Sequence, residues 1–208
     1  MTDIILVRHA LPYRSIVEES DYKAIADPKL SEIGIQQSLR LNSYLALEQI
    51  DAILVSPASR AIQTAAPLVE QHNVSMQVVE GLAEWDYGSN SYIPVEELRA
   101  EGSPKWQALA EGNFYDSSVD ADVFRDRVVN TVEEVIQKHL GEKILLVTHA
   151  GVINAYLGHL LGQIKPFWLP LPWSPSYAST SRIKILPDGR QAIVSINESH
   201  YVRDLLPI

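Results

Sequence analysis

Cysteine is absent from this sequence of 208 residues. Disulfides, thiol nucleophiles and the Cys-containing zinc sites are excluded with it. Positive charge is scarce: 17 lysines and arginines face 26 aspartates and glutamates, for a formal net charge of -9. Neither nucleic acid nor an anionic membrane is attracted to such a surface at large, although a cluster of arginines can invert the field inside one cleft. No uninterrupted apolar run approaches membrane-spanning length. No basic leader followed by an apolar segment and a small-residue cleavage site opens the chain, so a cytoplasmic protein is expected. Repeats, low-complexity tracts and linkers are missing too, and one domain over residues 1–208 is expected. The hydrophobic fraction of 46% is that of a globular chain, and the length suffices for one sizeable core.

What the chain does have is a series of short aliphatic runs that end in polar residues. Ile4-Ile5-Leu6-Val7 runs into Arg8-His9, and Ile144-Leu145-Leu146-Val147 runs into Thr148-His149. Ile50 to Val55 and Met76 to Val79 read as two further strands. Continuous aliphatic runs suit strands buried on both faces of a parallel sheet. Helical spacing fills the intervals. Ser31 is a plausible N-cap for a helix through Leu47, and Ser56-Pro57 opens one to about Gln71. From Asp122 to Leu140 an amphipathic helix places Phe124, Val128, Val132, Val135 and Ile136 on one face, and Gly141 closes it. Another follows His149 through about Leu161. Residues 11–30 read as a long loop, 162–176 as irregular, and 89–118 as an insertion without a clear strand but with short helical patches at Val95–Ala100 and Lys105–Ala110, within a lid at about 85–120. Arg182–Leu186 and Ala192–Asn197 flank Pro187-Asp188-Gly189-Arg190, a hairpin signal. The expected fold is three-layer α/β/α, mostly parallel, with a C-terminal antiparallel hairpin. The free edge of that hairpin is the surface through which two copies would pair in a homodimer.

In an open α/β sheet the C-terminal strand ends share one edge, where ligands bind. Arg8, His9 and His149 therefore converge there, joined by Arg60 from the helix after Ser56-Pro57 and by Glu84 from the loop after the strand at Met76–Val79. Two arginines and two histidines around one point suit a dianionic phosphate. A zinc site fits poorly, since the histidines lack a helical pair and the arginines repel a cation. His72, His139, His159 and His200 fall in no motif. Trp85, Tyr87, Tyr92 and Trp106 read as core or lid packing.

These motifs, in this order, resemble the histidine phosphatase superfamily, the phosphoglycerate mutase-like group. The resemblance is carried by Val7-Arg8-His9-Ala10, by Leu30 to Gln37, by Ser56-Pro57-Ala58-Ser59-Arg60-Ala61-Ile62-Gln63-Thr64-Ala65, by Leu82-Ala83-Glu84 with Gly88, and by Val147-Thr148-His149-Ala150-Gly151. It implies that His9 is the nucleophile of a phosphohistidine mechanism. Arg8, Arg60 and His149 would bind the non-bridging oxygens, with Ala150 in the same phosphate-binding set, and Glu84 would be the acid. No metal and no cofactor are implied, because arginines take over the charge of a metal. Two positions depart from the family pattern. Ala10 replaces the usual glycine, so the backbone there either avoids positive φ or stores strain. Ser15 stands where an asparagine often contacts phosphate, and its hydroxyl offers one hydrogen bond.

The function implied is hydrolysis of a small phosphomonoester. The alternatives are a phosphoglycerate mutase and an inactive phospholigand-binding protein. Mutases carry an Arg-Tyr-Gly-type run after the acid and later an arginine pair; here Trp85-Asp86-Tyr87-Gly88 follows, and 89–118 holds only Arg99. Specificity is expected to come from residues 11–29 and 85–120, whose aromatic content leans toward a partly apolar or sugar substrate.

Overall fold

In the computed structural model, which describes residues 1–17, 25–111, 113, 114, 116, 118–163 and 174–207, a six-stranded sheet separates two helical layers. The strands are β1 (Thr2–Arg8), β3 (Ala52–Val55), β4 (Met76–Val78), β6 (Lys143–Thr148), β7 (Thr180–Ile185) and β8 (Gln191–Glu198), ordered β4-β3-β6-β1-β7-β8. The first four run parallel, and β7 and β8 add an antiparallel edge. The hairpin forms as its turn chemistry dictates, with β7 starting two residues earlier than the apolar pattern suggested.

Side-chain alternation decides which helices cover which face. Ile4, Leu6, Leu54, Ile144 and Leu146 point into one core, with α5 (Ala121–Lys138) and α6 (Ala150–Leu160). Ile5, Val7, Ile53, Val55, Leu145 and Val147 point into the other, with α1 (Glu32–Tyr44) and α2 (Ser59–His72). All eleven are 2% exposed or less, which is why the sequence reads as unbroken aliphatic runs. The five α5 residues chosen from periodicity are the buried ones.

Helix ends follow capping chemistry. The Ser31 hydroxyl accepts the Gly34 amide at 3.0 Å and caps α1, which stops at Tyr44 rather than Leu47. The second helix starts at Ser59, not at Ser56-Pro57. Asp27 reaches across to accept both the amide and the hydroxyl of Ser59, at 2.9 and 2.6 Å, and supplies the cap that the local sequence lacks.

Two further differences lie in the segments read as loop and insertion. Ser15–Ile16 (β2) pairs antiparallel with Ser91–Tyr92 (β5), so both segments contain a short strand. Two residues are too few for a periodic signal. Helices α3 (Val95–Ala100) and α4 (Pro104–Ala110) follow β5 at the positions expected for helical patches. Residues 18–24 of the loop, 112, 115 and 117 of the insertion, and most of 162–176 lie outside the described residues. Among the described residues no helix is long and apolar enough to cross a membrane.

Candidate active site

Val7, Val147 and Val55 stand in one row across β1, β6 and β3. One step beyond that row the chain turns polar in all three strands, at Arg8-His9, Thr148-His149 and Ser56. Amide bonds hold the ends together: His9 N–H donates to the Thr148 carbonyl at 2.8 Å, and Ser56 N–H to the Val147 carbonyl at 3.0 Å. Parallel register is thus the device that assembles residues 140 positions apart.

Both arginines are buried, Arg8 at 6% and Arg60 at 2% exposure. A buried cation needs counter-charge or ring faces. Arg8 donates from Nη1 to the Pro175 carbonyl at 2.6 Å and lies 3.6 Å from the centre of the Tyr177 ring. Arg60 lies 4.4 Å from the centre of Tyr92. Carboxylates stand at arm's length: Glu96 is 3.9 Å from Arg8, and Asp27 and Asp86 are each 4.0 Å from Arg60. Nε of each guanidinium is buried without an acceptor among the described residues. Two charges neutralised this loosely leave a strong attraction for an anion.

Between them sits His9, 3% exposed, its ring 5.0 Å from that of His149. His9 Nδ1 is 2.8 Å from the Ala10 carbonyl. A carbonyl only accepts, so Nδ1 carries the proton and Nε2 keeps the lone pair. His149 Nε2 meets the Ser56 hydroxyl at 2.6 Å, whereas its buried Nδ1 has no partner among the described residues. Ser56 Oγ also accepts the Ala58 amide at 3.3 Å and keeps a hydrogen of its own, so it can donate to Nε2 when the His149 proton is on Nδ1. Burial, reinforced by the Arg60 and Arg8 charges, holds both imidazoles well below the ordinary histidine range. Both are neutral at pH 7.

Glu84 completes the ring of groups. Its Oε2 accepts the Gly151 amide at 2.8 Å, at the start of α6, and its Oε1 accepts the Trp85 amide at 3.1 Å. Any side chain at 151 would strike the Glu84 carboxylate, so only glycine permits this approach. Burial, with the Asp86 charge next in weight, raises the Glu84 carboxyl to about 7. That value lets one group donate and accept a proton near neutrality.

The remaining motif residues position backbone. Thr64 Oγ1 accepts the Ala10 amide at 2.9 Å and donates to the Arg60 carbonyl at 2.7 Å. Gln63 Oε1 accepts the Leu30 amide at 2.7 Å, and Gln37 Oε1 the Leu11 amide at 2.8 Å. Ala10 is fully buried and is not among the residues with positive φ, so it stores no strain of that kind.

A cavity of about 330 Å³ opens over these groups, lined by Arg8, His9, Arg60, Glu84, His149, Ala150 and Gly151 at one end. Every expected site residue lies here except Ser15. Ser15 pairs with Tyr92 in the β2–β5 ribbon and is not among the lining residues, whereas Tyr92 is. Trp85, Tyr92 and Trp106, read from the sequence as packing, line the wall. Tyr177, Glu96, Asp27 and Thr64 are contributors that sequence reasoning missed. Tyr177 donates to Glu96 at 2.9 Å across 81 residues, a pairing with no local signal.

Comparison with known proteins shows the family. The family model described as histidine phosphatase superfamily (branch 1) matches residues 4–199. Phosphoserine phosphatase 1 of Hydrogenobacter thermophilus is 31% identical over 173 residues, covering 81% of each chain. A metal-independent phosphoserine phosphatase of Arabidopsis thaliana is 25% identical, covering 74% of this chain and 67% of that one. The crystal structure of phosphoserine phosphatase from Entamoeba histolytica superposes with a TM-score of 0.74 at 19% identity, covering 97% of this chain and all of the other, and so shares the fold. The chain therefore belongs to the histidine phosphatase superfamily, and its enzymatic class is that of the phosphatases, hydrolases of phosphate esters.

Proposed function

We propose that this chain hydrolyses a small phosphomonoester by two in-line phosphoryl transfers through His9. The observation that carries the reading is the fixed tautomer of His9: a neutral ring with its lone pair on Nε2, set between two buried arginines.

In the first transfer the Nε2 lone pair forms the N–P bond as the bond from phosphorus to the ester oxygen breaks. Arg8, Arg60 and the Nδ1–H of His149 bind the three non-bridging oxygens, where charge concentrates in the transition state. The start of α6 at Ala150 adds helix-end polarity to the same region. Protonated Glu84 gives its proton to the departing alkoxide. In the second transfer water attacks phosphorus, its proton passes to Glu84, and the N–P bond breaks to release phosphate and restore the lone pair on His9. The guanidinium charges supply what a divalent cation supplies in other phosphoryl-transfer sites, so no metal enters the scheme.

Steady-state hydrolysis of p-nitrophenyl phosphate by the wild type, lost in His9→Ala, is the expected result. Wild-type turnover of 3-phosphoglycerate to its isomer on addition of 2,3-bisphosphoglycerate, without net phosphate release, would instead identify a mutase. Because the 31% identical relative is named for phosphoserine, that ester belongs in the first substrate panel.

A further inference from the structure

Away from the phosphate-facing groups the cavity wall changes character. Its far side is built by β5, α3 and α4 and presents Ile93, Val95, Leu98, Trp106 and Leu109. Trp85 closes a third side, stacked on Phe114 at 4.6 Å between ring centres. The charged groups on the wall are few. Arg8 and Arg60 are the cations among the described lining residues, and both face the phosphate end. The remaining charged lining groups, Glu84 and Asp86, are carboxyls.

Of the described cations close to this wall, Lys105 donates to the Ser91 hydroxyl at 3.3 Å and is not among the lining residues. Arg14 pairs with Glu101 at 2.7 Å and with Glu97 at 3.5 Å, and Arg99 lies 5.8 Å from the centre of the Trp106 ring. Neither lines the cavity. A second anionic group on the substrate would therefore leave water for an apolar wall and meet carboxylates, with no guanidinium or ammonium among the described lining residues beyond the phosphate end to receive it. An aryl or alkyl group loses nothing there and gains contact with Trp106 and Leu98.

We infer that the substrate is a phosphomonoester whose alcohol part is apolar or aromatic and carries no second anionic group. This deepens, and rests on, the phosphomonoesterase reading above. It sets this chain apart from an enzyme for phosphorylated acids such as phosphoserine or phosphoglycerate.

The test compares kcat/KM of the whole protein for ethyl phosphate, 2-phenylethyl phosphate, 2-(4-carboxyphenyl)ethyl phosphate and phosphoserine, all esters of alkyl alcohols. The phenylethyl ester should exceed ethyl phosphate by about tenfold to a hundredfold. It should exceed the carboxylated ester and phosphoserine by about tenfold or more. Ala110→Lys places a cation on the wall at an exposed helix end and should narrow the gap between the phenylethyl and carboxyphenyl esters. Leu109→Arg tests the same point should the first variant misfold. Carboxylated substrates turned over as well as the phenylethyl ester, or a gap that neither cation narrows, would overturn the inference. Failure to hydrolyse all four esters and p-nitrophenyl phosphate would overturn the phosphatase reading instead.

Discussion

Thr64 binds Ala10: its hydroxyl oxygen accepts the Ala10 amide at 2.9 Å while its hydrogen goes to the Arg60 carbonyl at 2.7 Å. One buried side chain thus fixes the spacing between the loop that follows His9 and the helix turn that carries Arg60. Thr64→Val keeps the shape and removes both bonds, leaving a buried amide unpaired. Stability should fall by about 2 kcal/mol, read as a lower midpoint in denaturant. The rate of p-nitrophenyl phosphate hydrolysis should fall about tenfold to a hundredfold through misplacement of the phosphate-binding groups. Thr64→Ser should restore most of both.

The Glu84 carboxylate accepts the Gly151 amide from the place that a Cβ at residue 151 would occupy. Glu84→Gln should lower kcat about 10²- to 10⁴-fold for an alkyl phosphate. The loss should be much smaller for p-nitrophenyl phosphate, whose leaving group departs without a proton. Gly151→Ala should mimic the first effect, because the added methyl displaces the carboxylate. Equal losses on both ester types would remove Glu84 from the acid role.

The pH profile follows from the same groups. Glu84 must be protonated to act as acid, and its carboxyl lies at about 7, so kcat/KM should decline as pH rises through that value. His9 must be neutral, and it is held well below 6.5, so the loss on its protonation belongs far below pH 6.5. Glu84→Gln should remove the decline near 7 and leave the acidic side unchanged. Substrate ionisation near pH 6 is common to both proteins and cancels in the comparison. For stability the signs oppose each other. The raised carboxyl of Glu84 weakens the fold as pH rises from the ordinary glutamate range toward 7. The lowered imidazoles of His9 and His149 weaken it as pH falls below 6.5.

Chelation gives a further check on the arginines as the source of positive charge. Dialysis against EDTA should leave kcat unchanged, and added magnesium or zinc should not raise it. Arg60→Lys keeps the charge but loses the guanidinium plane that lies 4.4 Å from the Tyr92 ring centre. It should lower kcat/KM more than tenfold.

The sequence made the sheet and the phosphate end of the site readable because both rest on strong local signals. Aliphatic runs buried on both faces mark the strands, and a polar residue just past each run marks the edge where they meet. Ser31, as a cap, and the α5 stripe are equally local. What stayed hidden depends on contacts across the chain. Asp27 caps α2 from 32 residues away, and Tyr177 meets Glu96 across 81. The two-residue ribbon that pairs Ser15 with Tyr92 is too short for any periodicity to show. Tyr92 and Trp106 were assigned to packing because an aromatic in an irregular segment reads the same whether it faces a core or a cavity.

The central claim is a phosphoryl group carried on Nε2 of His9. Rapid-quench treatment of the enzyme with a phosphomonoester, followed by digestion and mass spectrometry under alkaline conditions, measures it directly. The account predicts an acid-labile, base-stable phosphate on the peptide containing His9, approaching one per chain, attached at Nε2 by phosphorus NMR, and absent from His9→Ala. Undiminished turnover in His9→Ala, or phosphate found on another residue, would contradict it.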